Sequence, residues 1–281
     1  MISFTKGLIK KYIRDPKRNE KGVFRYYGQP VYFPKDSIIF KRTMAEGGVY
    51  ERDNLQIIQS FLKPQATLLD IGANIGMMAI PMLWAEPTLN VISVEASPNS
   101  LIYLQKTHDE SPYKDRWKII DKAVADVPGT VDFYLSQSAN GALDGLRNTE
   151  RAEIVNTVKI ECTTIDIIWH ANNDPEVEFI KIDIEGADLL ALKGGLECIN
   201  KCRPVILMEW NQTNIRAFKL DNDDLMKFVD GIGYEIYYLP EMQRVTSQVE
   251  LILLNNKKFV ENYLLIPAEK KDFSKPAQSL A

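Results

Sequence analysis

The chain has 281 residues, of which 45% are hydrophobic and 26% charged, with a formal net charge of -4. This is the composition of an ordinary folded protein, long enough for one large α/β domain with embellishments, and its lack of basic excess argues against nucleic acid as a partner. Three cysteines, Cys162, Cys198 and Cys202, make neither an even disulfide framework nor a zinc-site spacing. No apolar run reaches the roughly 18 residues of a membrane span, and none forms a signal-peptide core, so the expected location is cytoplasmic.

The first 21 residues are locally basic, with Lys6, Lys10, Lys11, Arg14, Lys17, Arg18 and Lys21 against Asp15 and Glu20. Phe4, Leu8, Ile9, Tyr12 and Ile13 recur at near-helical spacing. Two readings follow: an amphipathic helix lying on an anionic membrane, or a helix packed on the domain with a solvated charged face. The second is preferred because the apolar face is short. Between Gly22 and Phe40, Val23, Tyr26, Tyr27, Val31, Tyr32, Phe33, Ile38, Ile39 and Phe40 are broken at Gly28, Pro30 and Pro34, which reads as short strands with turns. Residues 1–46 are thus expected to form an extension of a helix and short strands. A helix through Leu55, Ile58 and Leu62 follows, ended by Pro64, with Glu51 either a first-turn acid or a cofactor contact.

The stretch Thr67-Leu-Leu-Asp-Ile-Gly-Ala-Asn-Ile-Gly76 reads as a buried strand running into a glycine turn, and Met77 to Leu83 continue as an apolar helix. In open α/β sheets ligands bind beyond the carboxyl ends of the strands, where Asp70 to Gly76 would lie. A dinucleotide fingerprint needs G-x-G-x-x-G, and the glycine that approaches a pyrophosphate is replaced here by Asn74. Asp70 adds a carboxylate that would repel phosphate but could pair with an ammonium group. S-adenosylmethionine carries an ammonium group, a nucleoside and no phosphate. The bland alternative is a plain strand-to-helix turn with Asp70 as a cap. Asn90 to Glu95 is a second apolar strand ending in an acid about 20 residues past the turn, the position of a ribose-binding carboxylate, and Ser97-Pro98 opens a helix.

Strand and helix continue to alternate. Trp117 to Asp121, Ala123 to Ala125 and Thr130 to Leu135 read as strands, with a turn at Pro128-Gly129. Ser136 to Asn148, rich in Ser, Asn and Gly, suits an exposed loop near the site. Phe179-Ile-Lys-Ile-Asp-Ile-Glu-Gly186 is a buried strand in which Lys181, Asp183 and Glu185 share one face while the chain stays extended. Arg203 to Glu209 is another strand ending in a carboxylate. Tyr234 to Leu239 and Val249 to Leu254 read as the last strand pair, and residues 267–281 as a loose tail.

Leu69-Asp-Ile-Gly-Ala-Asn-Ile-Gly76, Val94-Glu-Ala-Ser-Pro98, Lys122-Ala-Val-Ala-Asp-Val-Pro-Gly129, Ile180-Lys-Ile-Asp-Ile-Glu-Gly186, Leu192-Lys-Gly194 and Tyr50-Glu51 together resemble the FkbM-type methyltransferases. These are S-adenosylmethionine-dependent enzymes that mostly methylate hydroxyl oxygens on sugars and natural products. The likeness spans roughly residues 47 to 210. His108 departs from the asparagine common at the end of the second helix, and the first 46 residues match nothing in the pattern. The resemblance implies a Rossmann-like class I fold: a mostly parallel seven-stranded sheet with an antiparallel last strand and helices on both faces, here over residues 47–266. It also implies that Asp70, Gly72, Ala73, Asn74 and Gly76 hold the methionine part and that Glu95, with Ala96, meets the ribose. Asp121 and Ala123 would lie near the adenine, and Glu51 and Asp183 complete the cofactor set.

Methyl transfer to an alcohol needs a group that takes the hydroxyl proton, or a metal that activates the oxygen. His108 and His170 sit in no strand-end motif. Asp183, Glu185 and Glu209 end neighbouring strands and are the catalytic candidates, either as base or as ligands for a hard divalent ion. The bland reading of these acids is a helix cap at Asp183 and backbone binding at Glu209. The expected activity is O-methylation of a sugar, glycan or natural-product hydroxyl. The competing classes are an NAD-dependent oxidoreductase, which would need the missing glycine, and a non-catalytic adenosine-binding module. Nothing in the pattern fixes an oligomeric state or the acceptor.

Overall fold

The computed structural model describes residues 22–137 and 141–270. The basic segment 1–21, with its two readings, lies outside the described residues, as do residues 271–281 of the expected tail.

Two short strands, β1 (Val23–Tyr26) and β2 (Gln29–Tyr32), pair as a hairpin through Tyr27 and Gly28, both at positive φ, the turn conformation that suits the twist of paired strands. Phe24, Tyr26 and Val31 are buried beneath it, and Phe33 stacks on Phe40 with ring centroids 4.3 Å apart. Ile38, Ile39 and Phe40, expected in strands, instead open the helix α1 (Ile38–Ala45). The Ser37 hydroxyl accepts the Phe40 N–H at 3.1 Å, and that cap decides a three-residue apolar run whose periodicity fits either state. Next, α2 (Arg52–Phe61) buries Leu55, Ile57 and Ile58 and stops short of Pro64.

The strand β3 (Thr67–Ile71) is buried at every residue, and α3 (Ala79–Ala85) returns the chain to the parallel β4 (Asn90–Val94). Helix α4 (Pro98–Asp109), capped by Ser97, leads to β5 (Trp117–Ile120). The chain then builds a separate three-stranded sheet from β6 (Ala123–Val124), β7 (Gly129–Ser136) and β8 (Ile154–Thr163), ordered β6-β8-β7. After α5 (Ile165–Ala171) it re-enters the main sheet on the other side of β3 as β9 (Val177–Ile182). Two short helices, α6 (Asp188–Lys193) and α7 (Leu196–Cys202), precede β10 (Val205–Glu209). Helices α8 (Gln212–Ala217) and α9 (Asn222–Ile232) lead to β11 (Tyr234–Tyr238) and the edge strand β12 (Gln243–Val245). The chain closes with α10 (Gln248–Lys258) and β13 (Asn262–Pro267).

The main sheet has the order β12-β11-β13-β10-β9-β3-β4-β5, parallel from β10 to β5, with β13 reversed between β10 and β11. This is the Rossmann-like order that the resemblance implies, with β12 as an eighth strand on the edge. Period-two alternation sends Leu68, Val91, Phe179 and Leu207 to one core, and Leu69, Ile92, Ile180 and Met208 to the other. Both faces are therefore covered, each buried leucine adding about 2 kcal/mol. The connection from β3 runs outward through β4 and β5, and the chain then crosses to β9. The carboxyl ends of β3, β4, β9 and β10 consequently meet at one crevice, which positions the site.

Val249 to Leu254, expected as the final strand, is helix α10, and the reversed strand is Asn262–Pro267. The Ser247 hydroxyl accepts the Glu250 N–H at 3.2 Å, while Glu250 Oε2 accepts the Thr246 N–H at 2.9 Å. These two bonds fix the helix start and override the β propensity of Val249 and Ile252. Pro267 closes β13, Ala268 N–H donates to Gly233 O at 3.0 Å, and Glu269 pairs with Arg203, so the chain is held through these residues. Ser247→Ala is expected to lower unfolding free energy by about 1 kcal/mol, read by urea denaturation. An unchanged midpoint would show that the cap does not hold α10.

Candidate active site

The turn after β3 is shaped by close approach. Gly72 has φ +79°, and a Cβ there would lie 1.9 Å from the carbonyl oxygen of Asp183. Any side chain would force β3 and β9 apart at the crevice. Gly72 and Ala73 N–H both donate to Val94 O, at 2.9 and 3.1 Å, and Asp183 N–H donates to Ile71 O at 3.1 Å, so three strand ends are laced together. Gly76, at φ +89°, sits against the Trp117 ring, behind the cavity wall.

Beneath this turn Lys181 is almost completely buried. Its Nζ donates to Gly72 O at 2.9 Å and lies 3.8 Å from Asp70 Oδ1 and 3.9 Å from Asp183 Oδ2. Burial works against the ammonium charge, but Asp183, Asp70 and Glu51 outweigh it and hold the lysine above its ordinary value. Asp70 is fully buried and does not reach the cavity wall. Where a pairing with a ligand ammonium is expected, the structure places Ser93 Oγ, which donates to it at 3.3 Å, and Lys181 as its charge partner.

Glu95, at the end of β4, organises the next wall. Its Oε1 accepts the N–H groups of Ala96 and Ser97, at 2.9 and 2.7 Å, and its Oε2 accepts that of Asn74, at 2.7 Å. Burial pushes its carboxyl up to about 7 despite those three donors. Packed on Ser97 beside it lie Gly141 to Leu146. This stretch was expected to be an exposed loop, yet Gly141, Asp144 and Leu146 are buried and all six residues line the cavity.

At the reaction end, oxygens of Asp183, Glu185 and Glu209 all lie within 4.8 Å of one another. Glu185 has φ +56°, in the left-handed region. Gly186 follows at φ +98°, with Asn214 where a Cβ would stand. Arg151 NH1 donates to Glu185 Oε2 at 2.7 Å, and Asn214 Nδ2 bridges Glu185 and Glu209 at 3.1 and 2.9 Å. Burial, then the Asp183 charge, raises Glu185 to about 8, with Arg151 opposing. Glu209 is raised well above its ordinary value by burial and by Asp183 and Glu185. The fully buried Asp188 is raised to about 7 by burial and Asp183, and its Oδ2 accepts the Gly186 N–H at 3.1 Å. The buried Lys181 and the guanidiniums of Arg151 and Arg42, the latter 3.1 Å from Glu51 Oε1, thus face an acid-rich bowl.

The methyltransferase FkbM domain model matches residues 70–236, more than half of the chain. The chain belongs to that family. It is 23% identical over 160 residues to the 2-O-methyltransferase NoeI of Sinorhizobium fredii, covering 53% of this chain and 65% of that protein. It is 30% identical over 59 residues to a ribosomal RNA small subunit methyltransferase G of Mycoplasmopsis pulmonis, covering 21% of this chain and 25% of that protein. The chain therefore spans less than two thirds of the length of each of these curated relatives. A crystal structure of an FkbM methyltransferase from Methylobacillus flagellatus has a TM-score of 0.48 at 18% identity, covering 89% of this chain and 50% of that one.

In this member of the FkbM family, Glu51, Gly72, Ala73, Asn74, Glu95, Ala96, Ala123, Asp183, Glu185 and Glu209 all line one cavity. Asp70 and Gly76 stand behind it. Asp121 is exposed and off the wall because its neighbours Lys122 and Ala123 turn inward in its place. Residues that pattern reading passed over as site residues are Lys181, Arg151, Asn214 and Asp144. Lys181 carried the clearest signal, a lysine flanked by isoleucines in a strand buried at every residue. Among the described residues no helix is long and apolar enough to cross a membrane.

Because Asp188 titrates near 7 when folded and near its ordinary 3.8 when unfolded, the folded state holds its proton longer. Its contribution is fully present below the unfolded value and lost as pH rises through about 7. Asp188→Asn should therefore gain stability relative to the native protein between about pH 4 and 7, measured by thermal melts of both across that range. A pH-independent difference would contradict the assignment.

Proposed function

We propose that this chain is an S-adenosylmethionine-dependent O-methyltransferase whose acceptor is a hydroxyl on a sugar, glycan or other small natural product. The observation that carries the reading is the convergence of Asp183, Glu185 and Glu209 within 4.8 Å, beside a glycine turn that admits no Cβ. The relative named as a 2-O-methyltransferase supports transfer to oxygen.

The residues present fit that cofactor. Glu95 Oε2 accepts only the Asn74 N–H among the described residues, leaving acceptor capacity at the wall for ribose hydroxyls. Ala123, Val124 and Phe133 offer apolar surface for the base, and Glu51 and Asp183 offer carboxylates for the amino-acid ammonium in place of Asp70. A dinucleotide fits less well. Its pyrophosphate would face Glu51 and Asp183, and the Asn74 N–H is already taken by Glu95.

When bound, S-adenosylmethionine supplies an electrophilic methyl on a cationic sulfur. The protein must then hold the acceptor oxygen in line and take its proton. Glu185, raised to about 8 by burial and the Asp183 charge, is matched to accept a proton near that pH, and Glu209 beside it is held well above its ordinary value by burial and by Asp183 and Glu185. Arg151 and Asn214 fix their oxygens, and Asp183 presents a carboxylate half open to the cavity. The Arg151 guanidinium already supplies a cation to this cluster, which favours carboxylate base chemistry over a divalent ion. Ile38, Ile39, Arg42 and Tyr50 before the family-matched region, with Glu261 and Asn262 after it, wall the other half of the cavity. Acceptor selection rests on them. The three cysteines are buried and unpaired, in keeping with a cytoplasmic location.

Glu209→Gln and Glu185→Gln are expected to lower turnover by roughly 10²-fold while S-adenosylhomocysteine affinity changes far less. Calorimetry for binding and radiolabelled methyl transfer to a hydroxyl acceptor panel measure the two quantities. The rate should climb with pH toward about 8, where Glu185 loses its proton, and should survive a chelator. Absence of S-adenosylhomocysteine binding to the native protein would refute the cofactor, and full turnover in both variants would refute the carboxylate base.

A further inference from the structure

Asp144 is an ionisable side chain with almost no exposure that the chemistry above does not use. Its Oδ2 accepts from Ser97 Oγ at 2.6 Å and Asn99 Nδ2 at 3.1 Å. Its Oδ1 accepts from Ser136 N–H at 2.7 Å and Ser136 Oγ at 2.8 Å. One carboxylate thus ties three pieces of chain: the entry to α4, the end of β7 and its own loop. A buried acid with four donors is an organising feature, because a neutral or shorter side chain would leave several of those donors unpaired.

The tie reaches the cofactor half directly. Ser97, whose hydroxyl donates to Asp144, donates its N–H to Glu95 Oε1 at 2.7 Å. Gly141, at φ +62°, presses its backbone against Ser97 and Ser100, where a Cβ would come within 2.4 Å of Ser97 Oγ. At the far end Tyr134 and Gly145 exchange N–H···O bonds of 2.8 and 3.1 Å. The segment is therefore clamped at both ends, and Ala142 and Leu143 between the clamps line the same cavity as Glu95.

We propose that Asp144 is a positioning residue that holds 141–146 as the wall over the nucleoside half of the cofactor site, coupled through Ser97 to the ribose-facing Glu95. The inference rests on the cofactor reading above and adds to it the residue that shapes the nucleoside end. Asp144 touches no reacting atom. Its effect falls on cofactor affinity and not on the carboxylate cluster.

The test is calorimetric titration of native protein, Asp144→Asn and the double variant Ser97→Ala/Asn99→Ala with two probes, S-adenosylhomocysteine and 5′-methylthioadenosine. The second keeps the nucleoside but lacks the amino-acid end. Asp144→Asn should weaken both probes by the same factor, about tenfold or more, consistent with lost charge-assisted hydrogen bonds. The double variant, which cuts the α4 side and keeps the Ser136 contacts, should do likewise. If Asp144→Asn does not fold, the double variant carries the test. A lowered melting temperature with unchanged affinity, or a loss confined to S-adenosylhomocysteine, overturns the proposal. Native protein that binds neither probe removes the cofactor reading itself, and with it this inference.

Discussion

The site depends on one buried ammonium group. Lys181 reaches through the sheet to the Gly72 carbonyl, and its charge is set against Asp70 and Asp183 at just under 4 Å. Without it, the fully buried Asp70 would have no cation, and removing one partner of such a buried set costs about 3–5 kcal/mol. The contact also links β9 to the turn after β3, so the amino-acid end of the cavity and the carboxylates at the reaction end are placed by the same side chain. The position of Gly72 against Asp183 O, too close for any Cβ, follows from that pairing of strand ends.

The surrounding acids pull in the other direction. Glu95, Glu185, Glu209 and Asp188 are all raised by burial, and each must be neutralised or held by donors to remain there. Three of the cavity's non-glycine residues, Glu51, Asn74 and Glu185, also have left-handed backbone. Concentrating carboxylates and strain at one crevice weakens the fold locally. The well-packed cores on both faces of the sheet tolerate it, and in return the cavity favours a cationic ligand over a phosphate.

Much of the fold was legible because the parallel strands are short apolar runs whose ends carry chemistry: Asp70-to-Gly76, Glu95, Asp183-to-Gly186 and Glu209. What misled was local. Ile38 to Phe40 and Val249 to Leu254 have β-favouring side chains, but serine caps at Ser37 and Ser247 set both as helices, and the Ser247-to-Glu250 spacing was a readable sign. Depth was harder to read than position. Asp70 ends its strand as expected yet points into the interior, and Asp121 sits beside the wall with its side chain outside it. Asp144, Arg151 and Asn214 join the site from loops and helices distant in sequence, and no spacing pattern links such residues before the chain folds.

The most direct test of this account is calorimetric titration of S-adenosylmethionine into Lys181→Met beside the native protein, at a temperature where both are folded. The account predicts saturable binding to the native protein and at least a tenfold weaker association with the variant, since the turn loses its anchor and Asp70 its counter-charge. Equal affinity in the two proteins would contradict it.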